Sequence, residues 1–380
     1  MKITKRHTNR AAQSMVALCC AAGLALGQEA GQPQPLAVPR QFIAVDGPSG
    51  YADTFYDTQP INARCGGQCS GCDAPGCGGG GGFFAGGEYL LIKPTFSEAV
   101  AFARGAAGPA SLQTAAEALD FDYDDSFRIF AGYRAGSGDG ELRLSYWSLE
   151  ADTAVGTGTP GPGEFIIDPF GNLFGIDPTG GAAPFYQPTG DSINTRASVE
   201  MDVFDIDFKT SVGLRNRTWN LDVLAGVRIA EVNQFYESVI RDAAGVVLAG
   251  GDYSVNFTGA GPRLGGGLSR SFGQDGQFNL HMNGAGSLLL GDYDVVFGAS
   301  AGPFQGGQSE QMTRLIPVLD MEVGGAWQCC ECVTVGGGWM VQGWGDLGTS
   351  GGSFSGLFTG ADDANIMSFN GMFLRAEVAF

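Results

Sequence analysis

Histidine is almost missing: the 380 residues contain two, and one of them, His7, lies at the extreme N-terminus. General acid–base chemistry and metal binding draw heavily on imidazole. Charge is also thin, at 16% of residues, and basic residues are outnumbered by acidic ones, 21 to 40. An acidic chain lacks the electrostatic footprint that nucleic acid or anionic headgroups need, so nucleic acid is excluded as a partner. No run of about 18 apolar residues occurs, which excludes a membrane-spanning helix. Catalytic groupings are equally sparse. No Ser-His-Asp arrangement can be argued around His281. Gly259-Ala-Gly261 lies inside a strand pattern with no helix after it, which fails the context of a dinucleotide loop. The expectation is a non-enzymatic protein without a cofactor.

Glycine, by contrast, is abundant, at 63 residues, and has no Gly-X-Y period that would mark collagen. Residues 1–27 read as a secretory signal peptide. Lys2, Lys5, Arg6 and Arg10 form its basic region, 11–26 its apolar stretch, and Ala25-Leu26-Gly27 its small-residue cleavage site. With cleavage after Gly27 the formal charge moves from −19 to −23, since four basic residues leave with the signal. Residues 28–82 read as a flexible periplasmic arm rich in proline, glycine and cysteine.

From Phe83 the character changes. Period-two alternation recurs over about ten segments, near 83–94, 126–134, 140–153, 197–209, 218–233, 253–271, 277–291, 312–327, 333–346 and 366–380. In the fifth, Trp219, Leu221, Val223, Ala225, Val227 and Ile229 oppose Asn220, Asp222 and Arg228. In the last, Met372, Leu374, Ala376, Val378 and Phe380 oppose Phe373, Arg375, Glu377 and Ala379. The fourth segment changes face near Val203-Phe204, which suggests a bulge. Connections alternate between long (95–125, 154–196, 234–252, 292–311, 347–365) and short (135–139, 210–217, 272–276, 328–332). Long extracellular loops and short periplasmic turns are the habit of outer-membrane barrels. The fold expected for 83–380 is therefore all-β, an antiparallel transmembrane β-barrel of about ten strands, with twelve as the alternative. Pro262 and Pro317 disagree, because each removes a ladder donor within a strand.

Several segments resemble one family. Phe83-Phe-Ala-Gly-Gly-Glu-Tyr-Leu-Leu-Ile-Lys-Pro-Thr-Phe96 is similar to the opening strand of the Legionella-type major outer-membrane proteins, which have β-barrel relatives in planctomycetes. Phe127-Arg-Ile-Phe-Ala-Gly-Tyr-Arg134, Leu142-Arg-Leu-Ser-Tyr-Trp147, Leu221-Asp-Val-Leu-Ala-Gly-Val-Arg228, Gly259-Ala-Gly-Pro-Arg-Leu-Gly265 and Ile316-Pro-Val-Leu-Asp-Met-Glu322 follow in similar order. The resemblance implies a pore-forming role in the outer membrane and brings no catalytic residues.

Charges opposite the apolar face must point inward, because in lipid each costs about 2–4 kcal/mol at midplane. They are Arg128, Arg134, Arg143, Asp222, Arg228, Asp320, Glu322, Arg375 and Glu377, joined by His281. They line a selective pore or form a salt-bridged plug. A ring of about ten strands is narrow, since open aqueous channels belong to barrels of about sixteen. Trp219, Trp327, Trp339, Tyr133, Tyr146 and Phe380 fit an interfacial aromatic girdle. Phe380 is also expected to mark the last strand for the barrel-assembly machinery. Cys65, Cys69, Cys72, Cys77, Cys329, Cys330 and Cys332 are disulfide or metal candidates. The Cys329–Cys332 turn is among the short ones, so arm and turn can meet, and the odd count leaves one thiol that could join two chains. The acidic run around Asp120, Asp122, Asp124 and Asp125 reads as a solvated loop end or a calcium loop.

The function expected is a porin-like barrel in the outer membrane, in contact with its lipid. Its lumen would be narrow and, from the overall acidity, cation-preferring. The alternatives are a non-conducting structural or adhesion barrel using its long loops and cysteine arm, and a secreted soluble β protein.

Overall fold

The computed structural model describes residues 81–97, 100–107, 112–136, 140–153, 155–160, 164–168, 191–212, 219–273, 276–301, 304–330, 332–347 and 366–380. The expected signal peptide and all but the end of the arm lie outside the described residues, as does most of the 347–365 connection.

Every described element is a strand. In chain order they are β1 (Gly82–Phe96), β2 (Val100–Ala107), β3 (Leu112–Ala118), β4 (Asp124–Arg134), β5 (Glu141–Asp152), β6 (Gly156–Gly158), β7 (Glu164–Ile167), β8 (Ser192–Val212), β9 (Asn220–Arg241), β10 (Val247–Phe272), β11 (Phe278–Ala301), β12 (Phe304–Cys330), β13 (Val333–Gly345) and β14 (Ile366–Ala379). The main sheet follows the order β5-β4-β1-β14-β13-β12-β11-β10-β9-β8, and a further β5–β8 pairing joins its two ends. Ten antiparallel strands thus form a closed ring with no lateral edge at membrane depth, as a chain in lipid requires. β1 and β14 pair without a shift from Phe84↔Ala379 to Phe96↔Met367.

The strands also explain the change of face near Val203. There is no bulge: β8 and β9 stay in one register from Ser192↔Arg241 to Val212↔Leu221. What changes is the solvent. Below the switch, Ile206 and Phe208 are exposed on the outer wall, and Asp205 and Asp207 are buried on the inner one. Above it, Val199, Met201 and Val203 are buried inside while Glu200 and Asp202 face out. β9 switches at the same depth: Val223, Val227 and Ile229 face out below, and Ala230, Val232 and Tyr236 are buried inside above. Phe204 lies opposite Ile229, so both strands leave the lipid together. Lipid forces apolar residues outward over about 9–11 residues of tilted strand; above it, water outside and a packed interior reverse the pattern.

That reversal hid the true lengths of the hairpins. The expected long connections 234–252 and 292–311 are mostly strand: β9 and β10 are joined across 242–246, and β11 and β12 across 302–303. In the first turn the Asp242 carboxylate accepts from the Ala244 and Val246 amides at 2.9 and 2.8 Å, and Gly245 takes a positive φ of 82°. The other two described long connections carry structure too. β2 pairs with β3 and β7 in a small second sheet. Phe102 and Ile166 of that sheet pack on Ile193 and Ile240 at the top of the barrel.

The two prolines are absorbed quietly. Pro262 keeps its place opposite Val227 with no shift in the ladder to either neighbour. Pro317 lies just beyond the last β12–β13 pair, Val318↔Trp344, where a missing N–H costs nothing. Gly261 is a point of close backbone approach: an added Cβ would collide with the Leu288 carbonyl.

Candidate functional site: a two-layer lumen

Inside the membrane-spanning part, the inner wall carries a layer of ion pairs. Glu88 is its most enclosed member, with a side chain 0% exposed. It accepts from Arg128 at 3.0 Å and Arg375 at 2.7 Å, with Arg143 at 3.7 Å. Arg375 also donates to Glu322 at 2.8 Å, and His281 Nε2 lies 3.2 Å from the same carboxylate oxygen. Across the lumen, Arg228 holds Asp205 with two bonds of 2.7 and 2.8 Å and reaches Asp320 at 3.1 and 3.0 Å. Arg263 bonds Asp320 and lies 3.5 Å from Asp207. Planar guanidinium forks suit such multiple pairing. A cavity of about 140 Å³ remains between the two groups, with Ser145 and Asn283 among its walls.

Aromatic rings finish the arginines. Arg143 stacks 3.8 Å from the Phe130 centroid, Arg128 lies 5.5 Å from that of Trp147, and Arg375 5.1 Å from that of Phe373. Directly above the ion pairs the lumen is filled by apolar side chains, including Leu90, Trp147, Tyr236, Phe257, Ile316, Trp344 and Phe369. Trp147 and Phe369 meet edge to face at 5.9 Å. The two layers are bonded together: Trp344 Nε1 donates to Gln342 Oε1 at 2.9 Å, and the Gln342 amide donates to Asp320.

The ten residues singled out from parity all lie on the inner wall, but not in one place. Arg128, Arg143, Arg228, His281, Asp320, Glu322 and Arg375 belong to the layer. Arg134 and Glu377 sit at the short-turn rim, where Arg134 bonds Glu377 at 2.6 Å and Glu141 at 2.8 Å. Asp222 is apart from them, paired with Lys209 at 2.8 Å. Sequence parity overlooked Glu88, Asp205, Asp207, Arg263 and Gln342.

The aromatic residues split. Trp219, Trp327, Tyr133 and Phe380 are exposed near the short-turn end, and Phe278 stacks on Trp327 at 6.4 Å. Tyr146 marks the opposite interface, donating to Asp202 at 2.5 Å. Trp339 departs from the girdle: it faces lipid in mid-strand, opposite Val323 and Met372. Cys329, Cys330 and Cys332 sit at the β12–β13 turn, the last two buried. Cys65, Cys69, Cys72 and Cys77 lie outside the described residues. Around the acidic run, Asp120 pairs with Lys93 at 2.7 Å and Asp125 with Tyr89. Among the described residues no three His, Cys, Asp or Glu side chains converge as metal ligands.

A ring of ten antiparallel strands with an outward apolar band is a membrane barrel, and the family model of the Legionella pneumophila major outer membrane protein precursor matches residues 81–380. The chain belongs to this family. It is a β-barrel protein of the outer membrane. This Legionella-type barrel is also similar to solved structures. The outer membrane protease OmpT of Escherichia coli is 12% identical over 79% of this chain and 97% of its own, with a TM-score of 0.41. The toluene transporter TodX of P. putida is 8% identical over 79% and 89%, with a TM-score of 0.23. The outer membrane channel DcaP of Acinetobacter baumannii is 10% identical over 79% and 98%, with a TM-score of 0.16. At these values none carries its activity over to this chain. No curated protein matches it.

Proposed function

We propose that this barrel is closed at rest, a porin-like protein whose lumen carries two seals in series. The observation behind the reading is the stacking of the ion-pair layer directly beneath the apolar plug, with Trp344 and Gln342 bonding one to the other. A hydrated ion entering from the short-turn end meets guanidinium and carboxylate groups already satisfied by each other. One that passes them meets a dry apolar core, where an unpaired charge is costly. The overall acidity of the chain does not extend to this layer, which gives cations no net attraction. Within the layer, Arg128, Arg143, Arg228, Arg263 and Arg375 balance Glu88, Glu322, Asp205, Asp207 and Asp320. The reading is non-enzymatic: His281 is engaged with Glu322 and packs beside Phe373 at 6.4 Å. Planar-bilayer recording tests it. The intact protein is expected to give no sustained steps of porin size, and stable large steps from most inserted molecules would sink the closed-lumen reading.

The periplasmic arm forms a second part of the proposal, as a tether held at the β12–β13 turn. Cys332 is buried at this turn, and Cys329 beside it is a free thiol. An arm cysteine as the partner of Cys332 is favoured by an oxidising periplasm and by the position of both segments on one side of the membrane. Non-reducing peptide mapping is expected to join the Cys332 peptide to one from 65–77. A Cys332 peptide found only with free thiol would remove the tether.

A further inference from the structure

The wall of the barrel is uneven, and its tall side ends in a strand, β12, whose upper part has one edge without a ladder partner among the described residues. β12 pairs with β11 along its length, from Ala301↔Phe304 to Phe278↔Trp327. It pairs with β13 only up to Val318↔Trp344. There β13 turns away at Asp346, whose φ is +57°. Among the described residues, 304–316 therefore presents one side of its backbone with no ladder partner. At the far side of the tall wall, the top of β8 is covered by β6. Residues 305–311 are exposed, with polar side chains on both faces, so this stretch stands in water rather than lipid. Edges of this length are usually blunted by lysine, proline or a bulge. Residues 304–316 contain no lysine or proline, and their pairing with β11 has no shift. Their charges are Glu310 and Arg314.

We propose that this edge pairs with the same edge of a second copy, antiparallel, and so links barrels in two opposed membranes. Centred on Met312, such a ladder sets Glu310 of each copy directly opposite Arg314 of the other. The two side chains share a face, being four residues apart on a strand; Arg314 lies on the inner one, 4.5 Å from the Tyr293 centroid. Opposite charges directly across an antiparallel pair are attractive, and like charges there repel. The orientation follows from symmetry. Antiparallel continuation of a sheet uses a twofold axis perpendicular to it. The barrel wall stands along the membrane normal, so that axis lies in the membrane plane and the second copy is inverted. Copies side by side in one membrane are related by an axis along the normal. Their strands, tilted by about 45°, would cross rather than pair. A one-strand contact is small, so each link is weak and adhesion comes from many acting together. The idea does not depend on whether the lumen conducts.

Vesicles carrying the purified full chain, in two fluorescent colours, test the pairing by their rate of mutual clustering. E310R alone and R314E alone are expected to cluster about tenfold more slowly than wild type. Mixing E310R vesicles with R314E vesicles is expected to restore two-coloured clusters, and the double exchange E310R/R314E to restore self-clustering. Heat-modifiable gel mobility checks that each variant is folded. Should a charge variant misfold, M312C supplies the second measurement, as a disulfide formed on oxidation between the introduced thiols of two copies in separate vesicles. Wild-type vesicles that stay apart, single reversals that cluster normally, or an absent link overturn the proposal. Loss without rescue on mixing also overturns it, and assigns the edge to another polypeptide or to residues 348–365.

Discussion

Arg228→Met is expected to destabilise the folded barrel by about 3–5 kcal/mol, read as a lower urea midpoint for loss of heat-modifiable mobility in a fixed detergent or lipid. The guanidinium is only 3% exposed and makes four close contacts, two to Asp205 and two to Asp320. Without it, Asp205, Asp207 and Asp320 share Arg263 alone within this half of the layer. The cost is that of leaving buried carboxylates uncompensated, which exceeds the net worth of the pairs themselves. Two companions separate this cause from lost packing. Arg228→Lys keeps the charge but loses the fork, and should fall between wild type and Arg228→Met. Adding Asp205→Asn to Arg228→Met should cost less than the sum of the two single changes, because the second removes a charge the first has stranded. Equal stability of wild type and Arg228→Met would mean that water already compensates these groups, and the lower seal would be lost as an idea.

Trp344→Ala should have the second large effect, this time on conductance as well as stability. The indole is fully buried in the plug. Its removal leaves a cavity and costs about 3–5 kcal/mol. It also frees Gln342, whose amide is held between the Trp344 ring N–H and Asp320. Both seals are thereby loosened at the point where they join. Intermittent conductance steps are expected in planar bilayers where the unmodified protein is silent. Trp344→Phe, which refills most of the volume without the donor, should recover much of the stability. A Trp344→Ala barrel as silent and as stable as wild type would show that the upper layer does not hold the lumen shut.

How much of this could be read beforehand depended on depth in the membrane. Between Leu221 and Ile229 the alternation is clean, because lipid outside and polar groups inside impose opposite demands on adjacent residues. The strand number and Asp320, Glu322, Arg375 and Arg228 as inward charges were legible for that reason. Where the surroundings reverse, parity misleads. Glu88 shares its face with Phe84, Leu90 and Ile92, an apolar row that parity alone would set toward lipid, although those residues are interior. Asp205 and Asp207 were lost at the change of face beside Val203. Arg263 was lost among glycines, which carry no parity signal. The hairpin extensions went unseen because a strand in water has no lipid to select its outer face.

By itself the sequence determined a ring of about ten antiparallel strands, since solvent polarity on the two faces is written into alternate residues. It also determined which side of most membrane strands is polar. The meetings were decided by tertiary structure alone. Glu88 reaches Arg375, and Arg228 reaches Asp320, across large sequence separations, through the register and stagger of a closed barrel. Parity assigns a side chain to the lumen; only the closing of the ring sets the height at which it meets its partner, and so whether the lumen holds free charges or mutually satisfied ones.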